Sequence, residues 1–331
     1  MSVLGKHLLH YVPHGINSDE FKPLDKNDQN LLKVKKELFK DKQYDFVVMF
    51  NSRNAHRKHP ANLILAFKSF CDSLPKEKAD KCLLFMHTDK VCDAGTDLVA
   101  TVKAITPDYN VFLNDKRSTP EEMVAYYNIA DVAVSVSSNE GFGLSIAESI
   151  MCGTPVIATV TGGLQDQLGL VDDNGNPYTF NLQFGTNSTG KYKKHGKWSY
   201  PLFPKVFNMQ GSPPTPYILD DFVNYSDVAD AIMFWYLMSN EDRESCGLEG
   251  RRWAMNEGGI NSKNMCDEFI KGMDFTINNF VPQKTFGLYK SEDYDISYQP
   301  YNTMGFEVSK VDVNAVKNKL KEEGFNYEQT N

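Results

Sequence analysis

Glu140 and Glu148, with seven residues between them, stand in the stretch AVSVSSNEGFGLSIAESIMCGTPVIAT, residues 133–159. The first falls in a glycine-rich turn, Glu140-Gly141-Phe142-Gly143, between an apolar run ending near Ser137 and a helical pattern beginning near Leu144. Two glycines let the main chain approach a ligand closely, and the amides of a helix start point outward at the positive end of its dipole. Together they make an anion site suited to a diphosphate. The two carboxylates reach different parts of one ligand, and each suits the paired hydroxyls of a ribose or a hexose. A second group, Asn51-Ser52-Arg53-Asn54-Ala55-His56-Arg57-Lys58-His59, follows another apolar run. Its Arg53 offers a planar fork and its Lys58 a mobile point charge, so the pair would neutralise a diphosphate from the opposite side. His14, His56 and His59 are candidates for proton exchange, and His14 is expected at a domain edge facing the cleft. Taken singly, a GxG turn is usually a tight connection and a basic loop is usually solvated.

Position decides between those readings, so the elements that carry the residues matter. LLHYV (8–12), FVVMFN (46–51), CLLFMH (82–87), NVFL (110–113), VAVSV (132–136) and PVIAT (155–159) read as buried parallel strands. Between them, Leu63, Phe67 and Phe70 give a helix from Pro60 to about Leu74. Another helix starts at Thr119-Pro120-Glu121-Glu122, where Thr119 caps, Pro120 fits the first turn and Glu122 closes a capping box. This alternation predicts an α/β fold: a doubly wound, mainly parallel Rossmann-like sheet with helices on both faces. In such sheets ligands sit outside the carboxyl ends of the strands, where both groups fall.

Residues 171–221 are rich in Gly, Pro, Ser and Asn and read as a loop-rich insertion. Helical patterning resumes at 226–239, 241–257 and 262–279, and a charged helix is expected from Val311 to Glu323. The predicted organisation is a domain of 1–170 and 222–280, the insertion, and a C-terminal extension of 281–331. Tyr178, Trp198, Tyr200 and Tyr217 would either stack on sugars or anchor the insertion. Asp172-Asp173 and Asp220-Asp221 read as solvated loop charge.

The chain has 331 residues, net charge −8 and a pI near 5.4, which argues against nucleic-acid or anionic-membrane partners. No apolar run approaches a bilayer span, and the N-terminus lacks the apolar core and cleavage site of a signal peptide. Six scattered cysteines lack metal spacing, so a cytoplasmic protein with reduced thiols, no metal and no resident cofactor is expected.

Glu140 and Glu148, followed by Cys152-Gly153-Thr154-Pro155-Val156-Ile157-Ala158, resemble the retaining glycosyltransferases of family 4. Arg53 and Lys58 look like that family's basic pair on the donor pyrophosphate. Pro13-His14-Gly15-Ile16-Asn17 and Phe21-Lys22-Pro23 resemble the start of its donor domain, and Gly162-Gly163 its small-residue turn. The resemblance covers roughly residues 8–168 and implies the donor-binding, C-terminal half of a GT-B fold. It implies that Glu148 binds the donor ribose and Glu140 sits beside the transferred sugar. The amides of Phe142, Gly143, Leu144 and Ser145, opened by Gly141, would hold phosphates and sugar, and main chain near Leu113 to Lys116 would meet the base. The implied activity is metal-independent transfer from a UDP- or GDP-linked sugar, with retention, to an unidentified acceptor. The family's preceding acceptor domain has no counterpart here, so a separate chain supplying it is a possible partner. The alternative is a non-catalytic nucleotide-sugar-binding or assembly protein. An epimerase-like enzyme fits less well, since neither an early GxGxxG nor a YxxxK pair is evident.

Overall fold

The computed structural model describes residues 11–40, 42–178, 187–210, 218–280 and 312–322. The chain divides into two compact units, Met1–Gln283 and Lys284–Asn331. In the first unit six strands form one parallel sheet in the order β3-β2-β1-β4-β5-β6. They are β1 (Phe46–Asn51), β2 (Cys82–His87), β3 (Asn110–Asn114), β4 (Val132–Ser135), β5 (Val156–Thr159) and β6 (Ser199–Leu202). Chain order reverses between β1 and β4, which makes their carboxyl ends the crevice where such sheets bind ligands.

The strands lack polar alternation because helices cover both faces. Phe46, Val48 and Phe50 of β1 enter a core shared with α2 (Pro60–Asp72) and α7 (Tyr225–Leu237). Val47 and Met49 enter another, shared with α1 (Gln29–Phe39) and α5 (Pro120–Ile129). The capping box of α5 is present, with Thr119 and Glu122 satisfying each other's backbone amides. A third core gathers α6 (Leu144–Met151), β5 and residues of α8 (Asn240–Met255). The 18-residue α9 (Ser262–Asn279) follows. Short α3 (Lys76–Ala79) and α4 (Leu98–Ile105) flank β2. In the second unit, α10 (Val313–Glu322) matches the helix expected from Val311 to Glu323.

Three expectations change. The strand expected at 8–12 lies partly outside the described residues, and Tyr11 and Val12 are not in a strand. The segment read as a loop-rich insertion supplies β6, the sixth strand of the main sheet, and a separate antiparallel pair, β7 (Val206–Met209) with β8 (Leu219–Phe222). β6 is four residues long and carries Pro201, which an edge strand tolerates and which masks the apolar signal. The paired acids are not all solvated either. Asp172 and Asp221 are buried, and Asp172 accepts from the amides of Asn174 and Asn176.

Candidate functional site

The site forms where the loops after β1 and β4 face each other across the switch point. Residues His56–Lys58 make one 3-10 turn, and this presents Lys58 to Glu140 as a direct ion pair. Both partners are largely withdrawn from water, with side-chain exposures of 9% and 14%. Arg57, not singled out in the sequence, lies 3.9 Å from the same Glu140 oxygen and donates to the carbonyl of Asn139 at 3.0 Å. Burial and the like charge of Arg57 lower Lys58 to about 8, so it still carries its proton at neutral pH. Three backbone segments knit the crevice: the Ser138 amide donates to the Arg57 carbonyl at 2.8 Å, and the Asp221 amide of β8 donates to the Ser138 carbonyl at 2.8 Å.

The turn between β4 and α6 is shaped by what surrounds it. Gly143 takes φ +92°, the left-handed region that favours glycine, at the cap of α6. A side chain at Gly162 would run into the Glu140 carbonyl, so the following small-residue turn lets β5's loop close on the first. Gln167, fully buried, donates to the Phe142 carbonyl at 2.5 Å and fixes the turn from behind. Gly141, by contrast, has no protein atom near the position of an added Cβ, so its face is open for a ligand. Leu144 is exposed and Ser145 half-buried at the helix start.

Glu148, one turn on, accepts a 2.5 Å hydrogen bond from the hydroxyl of Tyr127, a fully buried residue. Asn51 Nδ2 donates to that hydroxyl at 2.6 Å. Burial raises the Glu148 carboxyl, the Tyr127 hydrogen bond opposes the rise, and Glu20 adds to it. Burial and the nearby Glu148 push Tyr127 well above the usual phenol range, so it remains a donor.

Arg53 stands apart from the Lys58–Glu140 pair. It is exposed, on the wall of a cavity of about 280 Å³ lined also by Asn51, His87, Thr88, Asn114 and Lys116. That cavity holds the main chain expected to meet a base. His14 is exposed and packs its ring on Phe142, with centroids 5.0 Å apart. His14 and Phe142 also line a further cavity of about 430 Å³, with Tyr178 and Asp166 in its wall. Burial raises Asp166 to about 6, and the Tyr11 hydroxyl opposes the rise. His59 is pulled below its usual range by burial.

The aromatic readings divide. Trp198 is a core residue, 4.7 Å from the Trp253 ring, with its indole N–H donating to the Gln167 carbonyl at 3.1 Å. Tyr200 packs on Phe234, and Tyr217 lies outside the described residues. Arg57, Tyr127 and Gln167 carried no sequence signal of a role, because each matters only through a contact made across the fold. A basic run beside Lys58 was the nearest hint.

Residues 32–176 match the family model described as "Glycosyl transferases group 1". Among curated proteins the chain is similar to a D-inositol 3-phosphate glycosyltransferase of Corynebacterium jeikeium (strain K411), 31% identical over 161 residues. That alignment covers 46% of this chain and 36% of the relative, so the chain spans about a third of that protein's length. Among solved structures it is similar to a sucrose-phosphate synthase from Thermosynechococcus elongatus, at TM-score 0.54 and 19% identity, covering 81% of this chain and 52% of that one. It is also similar to an Anabaena protein solved with UDP and glucose, at TM-score 0.55 and 15% identity, covering 80% and 56%. No helix among the described residues is long and apolar enough to cross a membrane. The similarity to group 1 glycosyltransferases thus covers the segment that holds Glu140 and Glu148, and the solved neighbours share the fold.

Proposed function

We propose that this chain binds a nucleoside diphosphate sugar and serves glycosyl transfer with retention, using its own residues and no metal. The carrying observation is the meeting of Lys58 with Glu140 beside an open helix start, with Glu148 held one turn away by Tyr127. A donor entering here gives Lys58 a diphosphate in place of Glu140. Glu140 is then free to accept from the sugar hydroxyls and to offset positive charge building at the anomeric carbon. Lys58 and the amides of 142–145 would then meet the negative charge that develops as the diphosphate departs, with Arg53 beside the base. Glu148 takes the ribose, and the cavity beside Arg53 takes the base. A UDP-linked sugar is the first donor to try, because a fold neighbour was solved with UDP and glucose.

Calorimetric titration with UDP- and GDP-sugars, beside Glu148→Ala and Arg53→Ala, tests this reading. Binding by the wild type and its loss in both variants is the expected result. No binding of any nucleotide sugar by the wild type overturns it.

A further inference from the structure

A line of polar side chains runs beneath the cleft across the ends of β1, β2 and β3. Its polarity is fixed from one end. An ionised Glu148 only accepts, so Tyr127 donates to it; the Tyr127 oxygen then accepts from Asn51 Nδ2. That orients the Asn51 amide, and its Oδ1 faces His87 Nδ1 at 2.9 Å. The other ring nitrogen, Nε2, lies 3.0 Å from the main-chain carbonyl of Lys116. Both oxygens are acceptors. A neutral imidazole carries one N–H and satisfies one of them; an imidazolium satisfies both.

Ser118 provides the alternative. Its hydroxyl is 3.3 Å from His87 Nε2 and 3.1 Å from the Tyr126 hydroxyl. With His87 charged, Ser118 donates to Tyr126 and Nε2 holds the Lys116 carbonyl. With His87 neutral, Ser118 donates to Nε2 and the carbonyl is let go. We infer that His87 is a positioning residue whose doubly protonated form ties the 114–118 main chain to the Asn51–Tyr127–Glu148 line, so that nucleotide-sugar binding takes up a proton. This rests on the donor-site reading above, because the tied segment is a wall of the cavity assigned there to the base.

The groups facing His87 set the balance. Arg53, Lys116 and Arg117 line the same cavity and oppose its charge. Asp89 lines it too, and Asp115 is engaged by Lys90 at 2.9 Å. Tyr126 lies beside the ring at 5.7 Å, and Glu148 acts through the relay. A bound diphosphate would engage the cations and add negative charge, favouring the imidazolium. By linkage, the proton then favours the ligand equally.

The test is calorimetry with UDP-glucose and GDP-mannose at about pH 5.5, 6.5 and 7.5, in buffers of differing ionisation enthalpy. Both phosphates of these probes are esterified, so their charge is constant over that range. The wild type should bind about tenfold more weakly at the highest pH than at the lowest, with net proton uptake. His87→Gln should bind with a nearly constant Kd and without that uptake. Ser118→Ala removes the donor that serves the neutral ring, so its pH dependence should move upward. A wild-type Kd that ignores pH, a His87→Gln variant that keeps the slope, or an unmoved Ser118→Ala profile each overturns this inference alone. Absence of binding at every pH overturns it together with the donor-site reading.

Discussion

Glu140 and Glu148 sit on one turn-and-helix segment, yet the structure holds them by opposite means. Glu140 is claimed by charge: Lys58 occupies it directly and Arg57 stands 3.9 Å away. Glu148 is claimed by one hydrogen bond from a phenol that burial keeps protonated. On the proposed donor reading, a diphosphate would compete for the first arrangement, because it would offer Lys58 another anion. It would leave the second untouched. On that reading, the ribose side of the cleft would therefore be built before a ligand arrives, and the sugar side would be released by the ligand itself.

The largest test of that contrast is Lys58→Met, which removes the diphosphate's cation and strands Glu140 beside Arg57. Affinity for a nucleoside diphosphate sugar should fall about a hundredfold by calorimetry. If Glu140 and Glu148 were held alike, Tyr127→Phe would do the same. Instead it should weaken binding about tenfold, and lower stability by about 1–3 kcal/mol in urea titration, because Asn51 and Glu148 lose a buried partner. Glu140→Gln sharpens the difference in the other direction. Freed of its occupant, Lys58 should bind free nucleoside diphosphate a few times more tightly, while sugar transfer is lost. The smallest effect is one of pH. Lys58 is lowered to about 8 from the usual 10.5, so its charge is present below that value and lost above it. Affinity for UDP should decline a few-fold between about pH 7 and about pH 9, and Lys58→Met should abolish the decline.

Legibility in the sequence follows the same division. The four central strands were readable because both their faces are buried, which writes an unbroken apolar run for β1, β2, β4 and β5. The α5 start was readable because its cap is local. By contrast, α1 is amphipathic over a charged stretch, with only Leu31, Val34 and Phe39 buried, so its pattern does not stand out from a solvated segment. The strand β6 was hidden by Pro201 and its polar surroundings. In the site, Glu140, Glu148 and Lys58 were legible through strand-end placement and motif spacing. Tyr127, Arg57, Gln167 and His87 were not, since their meaning lies in partners 21, 82, 25 and 29 residues away.

The ladder joining Arg57, Ser138 and Asp221 carries a consequence for how the molecule comes to be folded. Its three segments lie far apart in sequence, and each waits on the next for its main-chain hydrogen bond. A second closure, the Ile16 amide on the Ile260 carbonyl and the Ser262 amide on the Ile16 carbonyl, joins still more distant segments. Contacts of such separation form late, because the loop entropy must be met before the bond rewards it. Pairs such as β1 with β2 and β4 with β5 join segments much closer in sequence and can form earlier. The β1–β4 junction and the cleft at its carboxyl end then close later than those pairs, so competence to bind a nucleotide should lag behind their recovery during refolding.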